Sequence, residues 1–332
     1  MTAVEPTITP ADLNGGRPAL GAWAYFEGGI VPIGDATVSI ATHTFNYGTA
    51  VFEGIRAYRQ EDGSTALLFG LEHYERLLRN ARLLRASVPE TAEALVEITR
   101  ELLRRNEHIG DVYIRPLVYK SAHSIRVQLT GLDDRIGIFT MPLGDYLPTG
   151  GIRVTVSGWQ RVGDNAIPAR GKISGSYVNA AFAAEDAHAA GYDDALLLTA
   201  DGHVAEASAA NIFVVSGREV ATPPLVDDVL PGITRHAVMQ IAGDAGYDVV
   251  ARRVDRSELY LADEVFLTGT GVQVAPIASI DDRPVGSSNF PVALDLQRRY
   301  FAAVRGTDPR YGHWLTPIRG NAPRQPQGDL QR

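Results

Sequence analysis

The 332-residue sequence has no cysteine. That excludes a disulfide scaffold, a thiolate nucleophile, an iron–sulfur cluster and a cysteine-based zinc site. Lysine is almost as scarce: of 31 basic residues 29 are Arg, and the two Lys are Lys120 and Lys172. No apolar run approaches the roughly 18 residues of a membrane helix, and the start lacks the basic and apolar regions of a secretory signal. A net charge of −8 argues against a nucleic-acid-binding surface. These absences lead us to expect a cytoplasmic globular protein, and the length suggests two domains.

Arg can replace a surface Lys in carrying charge and making ion pairs. It cannot form a Schiff base, because its guanidinium stays protonated at physiological pH. The two lysines therefore need separate readings. Lys120 reads as a compositional leftover on the surface. Lys172 lies in IPARGKISGSYVN (167–179), bracketed by Gly171 and Gly175 where a strand gives way to a helix. Such a junction suits a residue that projects into a cleft, and a neighbouring cation such as Arg170 could activate the amine. An ordinary exposed Lys is the plainer alternative.

Local patterns divide the chain. Residues 1–18 read as a loose extension. Residues 23–32 form a hairpin about Gly28-Gly29. Apolar residues at helical spacing predict helices over 71–87 and 91–106, and strands follow at 112–119 and 136–141. Residues 144–151 read as a linker between a small domain (19–143) and a large one (152–318). In the second, a strand at 152–159 precedes an Ala-rich helix at 176–190. Hairpins follow over 195–205 and 211–222, then a helix (232–246), strands (247–254, 264–267) and a helix (291–305). Residues 319–332 are Pro/Gln/Gly/Arg-rich and read as a disordered tail. Hairpins and helices without βαβ alternation predict an α+β fold.

Four further features could carry chemistry. LPGITR (230–235) opens a helix with free N–H groups, a geometry that binds phosphate with the Thr234 hydroxyl as an added donor. TGTG (268–271) is a second N–H-rich turn. Glu206 lies among alanines and needs a cationic or N–H partner if it is poorly solvated. Tyr113 and Arg115 leave one face of a single strand and could grip a carboxylate. Each has a plain structural alternative: a Pro/Gly helix start, an ordinary turn, an edge-strand Glu, an ion pair.

In this order the strings resemble those of the fold-type IV pyridoxal-5′-phosphate enzymes, most closely the branched-chain amino acid aminotransferases. The matching strings are FNYGTAVFEGIRAY (45–58), HYERL (73–77), VYIRPLVY (112–119), the Lys172 segment, LPGITR (230–235) and LADEVFLTGT (261–270), and the likeness runs from about Trp23 to Trp314. The resemblance implies a smaller N-terminal and a larger C-terminal domain with the cofactor in the cleft between them. It implies amino transfer from L-leucine, L-isoleucine or L-valine to 2-oxoglutarate by a ping-pong route.

The resemblance also implies a role for each matching residue. Lys172 would carry the cofactor through a Schiff base and then serve as the base for a 1,3-proton shift. Tyr177 would hydrogen-bond the phenolic oxygen, and Glu206 the pyridinium nitrogen. Arg76, the turn from Leu230 through Ile233 and Thr234, and Thr270 would hold the phosphate. Tyr113 and the Thr270–Gly271–Val272 turn would meet the substrate α-carboxylate. Phe52, Tyr47 and Trp159 would line an apolar pocket, and Arg56 and Arg115 would help accept the second carboxylate of 2-oxoglutarate. Family members are homodimers, and part of each pocket usually comes from the partner.

Two departures bear on substrate subtype: ASAAN (207–211) lacks a Glu before Asn211, and Asn46 stands where a His is common. The 121–131 loop could close over the site or trade contacts across a dimer. The alternatives are a fold-type IV transaminase for (R)-amines or D-amino acids, favoured less because Arg56, Tyr113 and Arg115 are all retained, and a lyase of the aminodeoxychorismate type. A cofactor carrier without turnover would not need Lys172, Tyr177 and Glu206 together.

Overall fold

A computed structural model describes residues 20–144, 151–286 and 288–318. The extension, most of the linker segment and the tail named above lie outside them. Among the described residues the strands form two sheets, of eight and nine strands.

The first sheet runs in the order Leu315–Ile318, Thr65–Leu68, Ile55–Arg59, Val112–Lys120, Asp134–Pro142, Trp23–Phe26, Gly29–Pro32, with Ala50–Phe52 also pairing to Val112–Lys120. Its central strand alternates. Val112, Ile114 and Val118 are buried in the core, while Tyr113, Arg115 and Leu117 leave the opposite, half-buried face. Two helices cover the core face. Gly70–Ala81 buries His73, Tyr74, Leu77 and Ala81, one stripe at helical spacing. It stops short of the expected residue 87, since 82–84 tighten into a 3-10 turn that ends with Arg85 at φ 51°. Ala92–Asn106 is capped by Thr91, whose hydroxyl accepts from the Ala94 N–H at 3.2 Å.

The second sheet runs Val204–Ala207, Asp194–Leu198, Ile152–Gln160, Gln273–Ile280, Glu264–Gly269, Asn211–Ser216, Glu219–Thr222, Asp248–Ala251, with Arg283–Pro284 also pairing to Gln273–Ile280. The hairpins expected at 195–205 and 211–222 are present. Here the structure corrects the expectation of no βαβ unit. Ile152–Gln160 and Asp194–Leu198 pair in parallel across helix Tyr177–Ala189. Glu219–Thr222 and Asp248–Ala251 do so across helix Ile233–Asp244. Both crossovers are concealed in the sequence by long irregular stretches between strand and helix. Strand Leu315–Ile318, grouped with the second half in the sequence reading, pairs antiparallel with Thr65–Leu68 in the first sheet. Behind that pairing, Tyr58, Leu68 and Phe69 share a core with Trp314 and helix Pro291–Val304.

Candidate functional site

The two halves meet at Lys172. The Phe52 N–H donates to the Lys172 carbonyl at 3.0 Å, and Val51 bridges Ile173, so a strand of the first sheet holds the Lys172 backbone. Glycine permits this close crossing. Gly48 sits at φ 64°, and a Cβ there would lie 2.8 Å from the Gly175 Cα. Its carbonyl accepts from the Gly175 N–H at 3.1 Å. The Lys172 Nζ donates to the Tyr177 hydroxyl at 2.6 Å and lies 4.8 Å from the centre of the Phe52 ring. Arg170 contributes nothing here; it is exposed and lies 3.6 Å from Asp164.

A partly enclosed cavity opens beside this amine. Arg76, Lys172, Tyr177, Glu206, Leu230, Ile233, Thr234 and Thr270 all line it. These are the eight residues to which the resemblance gave the cofactor. A wider cleft joins it, lined by Phe52, Tyr113, Arg115, Gly271 and Val272. Lys172, Tyr177, Ala209 and Thr270 border both spaces, so the amine stands at their junction.

Glu206 lies at one end, on strand Val204–Ala207. Its Oε1 accepts from Arg161 at 2.8 Å. Its Oε2 accepts from Asn211 Nδ2 at 3.0 Å and from the Leu230 N–H at 3.1 Å. Burial pushes this carboxyl above the usual carboxylate range, and the Arg161 guanidinium pulls it back in part. Elsewhere in the wall, helix Ile233–Asp244 begins after Gly232. Glycine suits this position, because a Cβ there would run into the side-chain amide of Asn211, which is held by Glu206 and Leu230. The first-turn N–H groups of a twelve-residue helix and the buried Thr234 thus border the cavity.

Arg76 is held from behind. Its Nε and Nη2 donate to the two oxygens of Glu53 at 2.6 and 2.7 Å, and its Nη1 to the Pro231 carbonyl at 2.6 Å. The His73 Nδ1 also contacts Glu53, at 2.8 Å. Burial alone would raise the Glu53 carboxyl, but Arg76 and His73 outweigh it and hold it well below the usual carboxylate range. Burial lowers His73.

In the wider cleft the Tyr113 hydroxyl accepts from Arg115 Nε and Nη2 at 3.0 and 2.7 Å. The guanidinium lies 4.5 Å from the Phe52 ring centre. Gly54 makes room for this, since a Cβ there would lie 2.5 Å from the Tyr113 hydroxyl.

Three assigned residues lie away from the cavity and cleft of their own chain, and the reading of Lys120 needs correction. Arg56 does not reach the cleft. It leaves the same face of the first sheet as its register partner Tyr113, but it is buried there, donates to the Leu143 and Gly144 carbonyls at 3.0 and 2.8 Å, and packs on Tyr58. Its retention therefore no longer bears on the choice of substrate. Trp159 does not line either space either. It is 43% exposed, stacks on Phe182 and donates to Asp186 at 2.8 Å, drawn outward by helix Tyr177–Ala189. Tyr47 is 40% exposed and donates to the Ile125 carbonyl at 2.6 Å, which turns it toward the 121–131 loop and away from the cavity. Lys120 is not a surface leftover. It is 1% exposed, pairs with Asp134 at 2.9 Å and donates to the Arg85 carbonyl at 3.0 Å.

The sequence reading missed Glu53, His73 and Arg161. For Glu53 a signal existed: a carboxylate inside the apolar run VFEGI (51–55) has little access to water and needs an internal cation. Arg161 follows an exposed strand end and carries no such mark.

An amine flanked by a buried carboxylate and by an N–H-rich helix start, in a two-sheet fold of mixed helices and strands, defines a class. The chain belongs to the class IV aminotransferases: residues 50–280 match the family Amino-transferase class IV. Within it, the similarity is to enzymes named for branched-chain amino acids. A probable branched-chain-amino-acid aminotransferase of Aquifex aeolicus is 47% identical over 300 residues, covering 89% of this chain and 96% of the relative. The branched-chain-amino-acid aminotransferase of Pseudomonas aeruginosa is 34% identical over 300 residues, covering 89% and 97%. Among solved structures, the T.th. branched-chain amino acid aminotransferase complexed with N-(5′-phosphopyridoxyl)-L-glutamate superposes with TM-score 0.88 at 39% identity, covering 91% of this chain and 100% of that one. The branched-chain aminotransferase of Thermoproteus uzoniensis with norvaline gives TM-score 0.86 at 39% identity, covering 90% and 99%.

Proposed function

We propose that this chain is a pyridoxal-5′-phosphate-dependent aminotransferase that moves the amino group of L-leucine, L-isoleucine or L-valine to 2-oxoglutarate. The observation that carries the reading is the Lys172 amine at the junction of two spaces, one suited to a cofactor and the other to a substrate.

The residues fit the cofactor. A cationic ring nitrogen needs a buried carboxylate, and Glu206 is one. A phosphate needs N–H donors and hydroxyls, which Ile233, Thr234 and Thr270 supply. The buried Thr268 Oγ1 also borders the cavity and has no hydrogen-bond partner among the described residues. Pyridoxal phosphate would supply an electron sink for the carbanion at the substrate α-carbon.

The protein's part is binding, orientation and proton transfer. Lys172 would hold the cofactor, and its Nζ would move a proton at the substrate α-carbon. Tyr177, within hydrogen-bonding distance of that Nζ, orients the amine and meets the phenolic oxygen. Glu206 meets the ring nitrogen. Arg76, the Ile233 and Thr234 N–H groups, the Thr234 hydroxyl and Thr270 hold the phosphate, and Leu230 fixes Glu206 through its N–H. The Tyr113 hydroxyl and the Thr270–Gly271–Val272 turn take the α-carboxylate. Phe52 supplies apolar wall, and Arg115, stacked on it, takes the second carboxylate of glutamate or 2-oxoglutarate. One pocket can then serve an apolar and an acidic substrate, because Arg115 is either used or bypassed.

We also propose that the enzyme is a cytoplasmic homodimer. Val38, Ile40, Phe45, Ile125 and Val127 are exposed apolar residues, and the Tyr47–Ile125 contact and the Thr42–His123 bridge bring their two segments together. Tyr47 lies in the same patch, where a partner's pocket could use it. Among the described residues no helix is long and apolar enough to cross a membrane.

A panel of amino donors in both enantiomeric forms, with 2-oxoglutarate as acceptor, tests the reading. Turnover of L-leucine, L-isoleucine or L-valine is expected. Turnover confined to (R)-amines or D-amino acids overturns it.

A further inference from the structure

The turn assigned to the α-carboxylate ends on an unusual residue. Strands Glu264–Gly269 and Gln273–Ile280 pair with Gly269 opposite Gln273, leaving Thr270, Gly271 and Val272 as a three-residue hairpin loop. Gln273 closes that loop at φ 56°. Hairpins of this length commonly place a left-handed residue at this point, and glycine adopts that conformation at no steric cost. A side chain retained there carries backbone strain, and such strain gathers at functional sites.

The side chain has a defined role in packing. Gln273 is 1% exposed, and its Nε2 donates to the Tyr58 hydroxyl at 3.2 Å. Tyr58 belongs to strand Ile55–Arg59 in the other sheet and is fully buried. Its ring packs against two guanidinium groups, Arg56 at 5.5 Å and Arg305 at 5.2 Å. Both are themselves anchored: Arg56 by the Leu143 and Gly144 carbonyls, Arg305 by both oxygens of Asp111 at 2.6 and 2.7 Å. Tyr58 is thus a fixed point in the first sheet.

We propose that Gln273 is a positioning residue that ties the 270–272 turn to Tyr58, and so fixes the donors for the substrate α-carboxylate relative to Tyr113 on the facing sheet. Arg56, which does not touch the cleft, acts through Tyr58 in the same way. This rests on the carboxylate reading above. Without the tether the loop keeps its hairpin pairing but loses its register against the first sheet. The carboxylate is then held less well, while the cofactor end, bordered by Ile233, Thr234 and Glu206, is unchanged.

The test uses holoenzyme and 4-methylvaleric acid, a branched carboxylate without an amino group with which a solved relative is complexed. Its Kd is measured by calorimetry for the wild type, Tyr58→Phe and Gln273→Gly. The glycine variant relieves the strain, so it folds readily. Both variants are expected to weaken binding about 3- to 10-fold, the range of one neutral hydrogen bond. KM for L-leucine should rise by a similar factor, the rate at saturation should fall less, and the cofactor absorbance should not change. Wild-type affinity in both variants overturns the tether. Weakening in Tyr58→Phe alone also overturns it, because the effect then belongs to packing around Tyr58. A wild-type enzyme that does not bind the acid overturns the carboxylate reading itself, and the inference with it.

Discussion

Arg161 holds Glu206 across 2.8 Å, while Asn211 and the Leu230 N–H occupy the other carboxylate oxygen. The carboxylate is thereby fixed in orientation, and the nearby cation opposes the pull of burial toward the neutral acid. Arg161→Gln removes that cation and leaves a buried carboxyl that protonates more readily. A hydrogen bond to a charged group contributes about 1.5–3 kcal/mol, so pyridoxal phosphate should bind roughly 10- to 100-fold more weakly. Titrating the apoenzyme and following absorbance checks this, and Arg161→Lys should recover part of the loss.

Purified protein should be yellow, and Lys172→Ala should lose the protein-linked chromophore. Borohydride reduction followed by peptide mapping should place the adduct on Lys172. An adduct on Lys120 would sink the assignment, and the structure gives a reason not to expect one: that amine is buried and paired with Asp134.

Lys120→Met should cost stability and spare the site. Removing one partner of a buried ion pair typically costs about 3–5 kcal/mol, because the other charge stays buried alone. Urea denaturation of the two proteins gives the difference directly. The variant's cofactor absorbance and KM should match the wild type.

Glu53→Gln should be destabilising by a similar amount at pH 7, about 3–5 kcal/mol, through the unneutralised Arg76. The pH dependence has a definite sign. The folded carboxyl titrates below its unfolded value of about 4.3. Its contribution is therefore fully present above that value and is lost as pH falls below it. The stability gap between wild type and variant should be flat from neutrality to about pH 5 and narrow under more acid conditions. Denaturation curves across that range decide it; a gap that widens in acid would contradict the assignment.

Gly54→Ala places a methyl group 2.5 Å from the Tyr113 hydroxyl. Tyr113 and the Arg115 fork bonded to it must then move. Misplacement of a positioning group by about 1 Å can cost up to a hundredfold. A fall in kcat/KM for L-leucine of roughly 10- to 100-fold is expected, with cofactor absorbance unchanged.

Much of the fold is legible in the sequence. The 23–32 and 194–207 hairpins, the helix from Ala92 and the alternation through Val112–Lys120 all follow from local rules: turn glycines, caps, and periods of 3.6 and 2. The two parallel crossovers are hidden because each pairs strands far apart in sequence around irregular connections. At the site, every residue assigned to the cofactor lines one cavity. The assigned residues that do not line the cavity or cleft of their own chain are Arg56, Trp159 and Tyr47, residues in matching strings or near strand ends whose direction depends on packing. Glu53, His73 and Arg161 went unread because a partner for each lies 20 or more residues away.

The sequence by itself determined which covalent chemistry was open. With no cysteine and two lysines, a Schiff base could form at only two side chains, because amine and guanidinium differ in basicity wherever they stand. The tertiary structure places the two differently, Lys120 against Asp134 in the interior and Lys172 against Tyr177 at a cleft. It also decided that Arg115 lines the cleft while Arg56, on the same sheet face, is buried against Tyr58. The physical reason is common to both choices. The reactivity and pairing of a charged group depend on how much water it loses and which opposite charges meet it, and those are set by the packed chain.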